Sequence, residues 1–222
     1  GDATRDTTGD ATRDATGDAT RDTTGDATRD ATGDAKNEIA KQPNCKDIDG
    51  FQTADISLIP NDYTGVAFKC VDGKVIWLDN YKDGKLEGLC RTWHENGQLK
   101  WEDNFKDGKR DGLCRTWYED GQLGWEDNYK DGKLEGLCRY WHENGQLKNE
   151  YNFKDGKRDG LCRTWYEDGQ LGWEDNYKDG KLEGLCRYWH ENGQLKWEDN
   201  YKDGNRISAK CFDEDGNLIK CD

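Results

Sequence analysis

Asp83, Asp107, Asp131, Asp155, Asp179 and Asp203 stand 24 residues apart, each opening a near-copy of the unit DGKRDGLCRTWYEDGQLGWEDNYK (Asp107–Lys130). A fixed period of this length restricts the chain to stacked repeat architectures. Each unit carries two turn signals: Lys-Asp-Gly-Lys, as at Lys106–Lys109, and Glu-Asn-Gly-Gln or Glu-Asp-Gly-Gln, as at Glu95–Gln98 and Glu119–Gln122. Asn-Gly and Asp-Gly mark hairpins because Gly accepts positive φ and Asn or Asp bonds its own backbone. The segments between turns, Leu89–His94 and Leu99–Phe105, have strand length and are rich in Trp, Tyr and Leu. The pattern predicts an all-β fold, an elongated antiparallel β-meander of 24-residue β-hairpin repeats.

Turn length decides which side chains share a face. A three-residue turn at Glu95-Asn96-Gly97, with Gly97 left-handed, pairs Trp93 with Leu99 and Arg91 with Trp101. The same length at Lys106-Asp107-Gly108 pairs Phe105 with Lys109 and Trp101 with Leu113. This reading gathers Leu89, Trp93, Leu99, Trp101 and Phe105 on one side, and sends Cys90, Thr92, His94, Lys100, Glu102 and Asn104 to the other. A one-residue slip would reverse every side chain. In one unit the aromatic moves by two positions, from 149 to 151, and so keeps its face. The candidate site is therefore one aromatic face holding Trp93, Trp101, Trp117, Trp125, Trp141, Trp165, Trp173, Trp189 and Trp197. Arg91, Arg115, Arg139, Arg163 and Arg187 would lie beside these rings, at ~0.5–1 kcal/mol of cation–π attraction per contact. Core packing is the plainer reading of most of the indoles. A single twisted sheet, however, leaves a long aromatic face with nothing in the chain to cover it, which makes part of it a binding platform.

Apolar residues are 32% and charged residues 36% of the chain, a balance that leans towards disorder until the periodic Trp, Tyr and Leu are counted. Residues 1–35 repeat GDATRDTT and GDATRDAT, hold no apolar side chain larger than Ala, and read as a disordered, acidic low-complexity tail. Residues 36–64, with Ile48, Phe51, Ile56, Leu58 and Ile59, read as an N-terminal cap closing the first repeat. The hairpin array spans 65–206, opening on a degenerate unit whose Gly73, Val75, Trp77 and Tyr81 align with Gly97, Leu99, Trp101 and Phe105. Residues 207–222 read as a C-terminal cap. A longer period is also present: residues 107–154 and 155–202 match over 48 positions except at Asn149/Trp197, Tyr151/Asp199 and Phe153/Tyr201. Near-identity of this kind leaves little room for a unique catalytic residue.

The pattern Asn-Tyr-Lys-Asp-Gly-Lys-x-x-Gly followed by Trp-x-Glu-x-Gly-Gln-Leu, running from Asn128 to Leu147, resembles the MORN-repeat superfamily, and most of all its bacterial, antitoxin-like variant. The resemblance covers about residues 65–206. It implies a MORN-like elongated antiparallel sheet used for protein contacts or, in eukaryotic relatives, for acidic lipids. The Cys column and the octapeptide tail depart from the usual pattern.

Constellations that would carry chemistry fail on spacing. Cys90, Cys114, Cys138, Cys162 and Cys186 occupy one place in successive units. Two strands separate neighbours, or ~9–10 Å, too far for a disulfide or a shared zinc. Free thiols favour a reducing, cytoplasmic compartment, with a secreted or surface location left open. Cys45, Cys70, Cys211 and Cys221 fall in or near the expected caps, where a Cys211–Cys221 pair is an option. His94, His142 and His190 recur every 48 residues, ~19 Å apart, alternate with Tyr118 and Tyr166, and read as polar-face surface residues. Glu102-Asp103 points its two carboxylates to opposite faces, and Asp213-Glu214-Asp215-Gly216 puts Cys211 where a calcium loop needs its first oxygen ligand. No enzymatic activity, cofactor or metal is expected.

The net charge of −14 repels nucleic acid and weighs against acidic lipid, and no stretch is long and apolar enough to span a membrane. The expected function is a non-enzymatic scaffold that binds a protein partner, or a second copy of itself, through the aromatic face. An antitoxin or immunity-type role is its narrower form, and a cell-surface glycan-binding module is the alternative.

Overall fold

The computed structural model describes residues 41–221. The expected tail, and the first residues of the expected N-terminal cap, lie outside them. All strands belong to one 20-stranded sheet. Its body is a meander in which each long strand pairs antiparallel with the next, from Gly65–Val71 and Lys74–Lys82 through units such as Gly88–Trp93 and Leu99–Lys106 to Leu195–Lys202 and Asn205–Phe212. The all-β hairpin meander read from the sequence is the fold.

The two turns behave differently. At Glu95-Asn96-Gly97 the three-residue turn forms as expected: the His94 amide donates to Gln98 O (2.8 Å), the Gly97 amide to His94 O (2.9 Å), and Gly97 sits at φ 88°. Trp93 therefore stands opposite Leu99. A bulge follows at once: Lys100 takes no partner, and Trp101 comes opposite Thr92 instead of Arg91. The turn at Asp107-Gly108 has two residues, not three. Both have positive φ (50° and 77°), so it is a type I′ hairpin, which pairs Lys106 with Lys109 and Phe105 with Arg110. Register then jumps across Asp111-Gly112, and Trp101 meets Thr116 rather than Leu113.

These shifts re-sort the faces. Cys90, Thr92, Trp101, Asp103 and Phe105 share one side of the sheet; Leu89, Arg91, Trp93, Leu99, Glu102 and Asn104 share the other. The expectation of a single aromatic face is overturned. Trp93, Trp117, Trp141, Trp165 and Trp189 lie on the second face, and Trp101, Trp125, Trp173 and Trp197 on the first. The shift from 149 to 151 does preserve its face, since Tyr151 stands opposite Cys138 as Asp103 stands opposite Cys90.

The second face carries the core at the start of the array. Phe68, Val75, Trp93, Leu99 and Trp117 pack together there, with Cys45, Ile48, Cys70, Leu78 and Leu123 against them. Leu99 and Val75 are fully buried, and each contributes roughly 1.5–3 kcal/mol relative to exposure. The segment around the short 3₁₀ turn Cys45–Asp47 covers this cluster and is held by a Cys45–Cys70 disulfide. Phe51–Gln52 adds a short parallel pairing beside Ala67–Phe68, and Ile56 and Leu58 stay largely exposed. At the far end Asn205–Phe212 pairs with Leu218–Ile219, and a Cys211–Cys221 disulfide closes that return.

Candidate functional site

The first face is the candidate site, and the hairpin register builds it. Its middle line alternates carboxyl and thiol along the meander: Asp79, Cys90, Asp103, Cys114, Asp127 and Cys138, then Tyr151, Cys162, Asp175, Cys186 and Asp199. The 101-type indoles flank it on one side and the rings of Tyr81, Phe105, Tyr129, Phe153, Tyr177 and Tyr201 on the other, two residues away on the same strands. Asp103, Asp127 and Asp175 are at most 5% exposed. Sequence reasoning passed over this acid column although Asp103 shares a strand and a face with Trp101; an unbulged register sends the Cys90 column, not the acid, to the other side.

The five column thiols are free and buried, as expected from their spacing. Burial first, with a neighbouring carboxylate adding to it, pushes Cys90, Cys138 and Cys186 up to about 12; burial does the same for Cys114. Thiols so far from ionising are poor nucleophiles and poor metal ligands. At the two ends the four remaining cysteines are disulfide-bonded: the Cys211–Cys221 pair left open by the sequence forms, and Cys45 pairs with Cys70, which the sequence reading did not single out. Among the described residues no group of three or more potential ligands could hold a metal ion.

Burial raises the carboxyl pKa of Asp79 and Asp127 above the usual range. Asp103 has a cation: Arg110 donates to Oδ2 from Nε (3.0 Å) and Nη2 (2.9 Å). The same guanidinium lies 5.4 Å from the Trp101 ring centroid and 5.3 Å from that of Tyr129. Arg158, one long period on, lies over Tyr151 (4.6 Å) and Tyr177 (5.3 Å). Oδ1 of Asp103 and Oδ1 of Asp127 are buried with no hydrogen-bond partner among nitrogen and oxygen atoms; the Cys114 and Cys138 thiols face those carboxyls.

The expected arginine row does not stack on indoles. Arg91, Arg115, Arg139, Arg163 and Arg187 lie on the second face and pair across their hairpins with Glu102, Glu126, Glu150, Glu174 and Glu198 at 2.7–3.1 Å. With the arginine side chains 22–39% exposed, each pair contributes about 0–1 kcal/mol. The stacked cations are Arg110, Arg158 and Lys196, the last with its Nζ 5.4 Å from the Tyr188 ring centroid and 5.2 Å from that of Trp197. Nor are the three histidines simple surface residues. His94 Nε2 lies 2.9 Å from Trp117 O, and His142 and His190 make the same link to Trp165 O and Phe212 O, stitching one unit to the next.

Two open cavities lie on the first face. One, of about 400 Å³, is lined by Trp173, Asp175, Tyr177, Leu182, Tyr188, Trp197, Asp199 and Tyr201. The other, of about 250 Å³, is lined by Ile56, Trp77, Asp79, Leu86, Trp101, Asp103 and Phe105. Trp101, Trp173 and Trp197 are 39%, 46% and 47% exposed, whereas Trp93 and Trp117 on the second face are 4% and 8% exposed.

Comparison with known families agrees with this geometry. The sequence model of the MORN repeat variant matches residues 86–107, 110–131, 134–155, 158–179 and 182–203, one match per 24-residue unit. No curated protein matches the chain. With its hairpins repeating in step with those five matches, the chain belongs to the MORN repeat variant family.

Proposed function

We propose that the array is a non-enzymatic scaffold that docks a protein partner on its first face. The observation that supports this most directly is the contrast in exposure between the two indole columns: Trp101, Trp173 and Trp197 are open beside two cavities, while Trp93 and Trp117 are packed. Large, half-exposed aromatic surface around small concavities suits anchoring side chains of a partner. The inert thiols and the histidines bonded to neighbouring carbonyls support a structural rather than catalytic use of those groups.

The test is retention of proteins from an extract of the source cell on immobilised chain, compared with W101A, W173A and W197A, and with W141A and W189A on the second face. Loss confined to the first three supports the reading; equal retention by all sinks it. An immunity-type role is the narrower form, tested by whether the chain relieves toxicity of the protein it retains. Self-association is read from the mass of the purified chain in solution. The exposed indoles also favour stacking on sugar rings, and a glycan array read by Trp quenching separates that alternative. The two disulfides favour an oxidising compartment.

A further inference from the structure

On the first face, residue identity alternates with the 48-residue period at the second residue after each two-residue turn. Arg110, Arg158 and Arg206 hold it in one set of units, Leu86, Leu134 and Leu182 in the other. The register is common: Arg110 stands opposite Phe105 as Leu86 stands opposite Tyr81 and Leu182 opposite Tyr177. Where the residue is Arg110, its guanidinium fills the space between Trp101 and Tyr129 and bonds Asp103. Where it is Leu86 or Leu182 that space is empty, and these are the two cavities. The intervening Leu134 unit is filled differently, since Tyr140 reaches Asp127 with its hydroxyl (3.4 Å) and packs on Tyr151.

Each cavity thus keeps the aromatic walls and carboxylate floor that hold a guanidinium elsewhere in the same sheet. In the Leu86 cavity, Asp103 is held by Arg110 while Asp79 has no cation; in the Leu182 cavity, Asp199 meets Arg206 Nη1 at 3.5 Å while Asp175 has none among the described residues. Arg91 and Arg187 at the edges are already engaged by Glu102, and by Glu174 and Glu198. A buried carboxylate without a cation is costly, and a cation set between aromatic rings and a carboxylate is attracted by both.

We propose that the Leu86 and Leu182 cavities are receptor cups for arginine side chains of a basic, extended protein segment, each reproducing the seat that Arg110 occupies within the chain. This deepens the docking reading and rests on it. The chain's net charge of −14 draws such a segment in.

The experiment measures binding of a synthetic peptide of four Gly-Ser-Arg copies to the full chain by titration calorimetry, beside the same peptide with citrulline for arginine. The double variant L86R/L182R plugs both cups with the chain's own guanidinium. L89R/L185R adds the same charge on the second face, where Leu89 and Leu185 stand opposite Asn104 and Asn200. Thermal unfolding verifies that both variants fold. Expected are at least tenfold weaker binding by L86R/L182R than by L89R/L185R, and no measurable citrulline binding. Equal binding by the two variants, or of the two peptides, overturns the proposal. So does self-association that only L86R/L182R abolishes without peptide binding, which makes a second copy the occupant. If W173A and W197A release a retained partner while L86R/L182R keeps it, the docking face stands and only the arginine assignment falls.

Discussion

Tyr166 and Gly172 fit each other across the bulge: a Cβ at Gly172 would lie 3.0 Å from Cε2 of the Tyr166 ring. Tyr118 and Gly124 repeat the arrangement at 3.5 Å. Where the ring is His94, His142 or His190, the corresponding residue is Lys100, Lys148 or Lys196. Both rings do one job, since the Tyr118 and Tyr166 hydroxyls donate to Trp141 O and Trp189 O at 2.9 Å, where His94 uses Nε2 on Trp117 O. The longer phenol needs the room that glycine leaves at the bulge.

G172A should therefore destabilise the chain by about 1–2 kcal/mol through overpacking. In a Y166H background the same change should cost under about 0.5 kcal/mol, because the smaller ring leaves space for the new methyl. Urea midpoints of the four proteins close the cycle, and additivity of the two changes would contradict the coupling.

How far the fold is legible from sequence follows from these positions. The period and the Asn-Gly turn are written in residue types with few conformational options, so the three-residue turn at Gly97 can be read directly. The turn at Asp107-Gly108 yields to the same chemistry one residue shorter, and sequence does not separate the two lengths when Lys flanks both sides. Lys100 carries no bulge signal of its own. The signal lies in Gly124 and Gly172, interior strand glycines at the equivalent place, a recognised mark of a bulge. Reading that one extra residue would have brought the Cys90 column to the face of Trp101 and Asp103 and the Arg91 row to the glutamates. The alternation of Leu86 with Arg110 was also readable, but its meaning needs the ring contacts.

Raised thiol pKa values make alkaline conditions destabilising. Cys90, Cys114, Cys138 and Cys186 titrate near 9 when unfolded and about 12 when folded. The folded state thus holds protons that the unfolded chain releases, and stability is full below pH 9 and falls as pH rises from about 9 towards 12. Urea midpoints between pH 7 and 10.5 should decline, and the decline should shrink in C114A/C138A. A thiol reagent at pH 8 should leave the five column cysteines unmodified until denaturant is added.

Two buried aspartates should respond oppositely to amidation. Asp103 is held by Arg110, so D103N weakens a charge pair in which the acid is 4% exposed and should cost at least about 2 kcal/mol. Asp127 has no ion-pair partner among the described residues, only the Cys138 thiol and the Tyr140 hydroxyl at 3.4 Å, and burial raises its pKa. A carboxyl whose folded pKa is raised favours the folded state at low pH and penalises it once ionised, as pH climbs through that pKa. D127N should therefore gain about 1 kcal/mol at pH 7, with the gain vanishing under acid conditions where the carboxyl is already protonated. Denaturation of both variants at pH 7 and pH 4 checks the signs.

The Cys45–Cys70 disulfide should matter more for the second face than its position near one end suggests. It ties the segment that covers Phe68, Val75 and Trp93, and Trp93 is 4% exposed beneath that cover while Trp189, four units on, is half-buried. Closing a loop across 25 residues of sequence contributes about 3 kcal/mol by restricting the unfolded chain. C45A/C70A should lose roughly that much. If the cover then lifts from the core, Trp93 gains solvent: emission should shift to longer wavelength in the double variant and be insensitive to the disulfide change in a W93F background. A variant with unchanged emission and a urea midpoint equal to that of the parent would show the cover to be held by the packing of Ile48 and the hydrogen bonds that join Gln42, Pro43 and Cys45 to Gly73 and Val75.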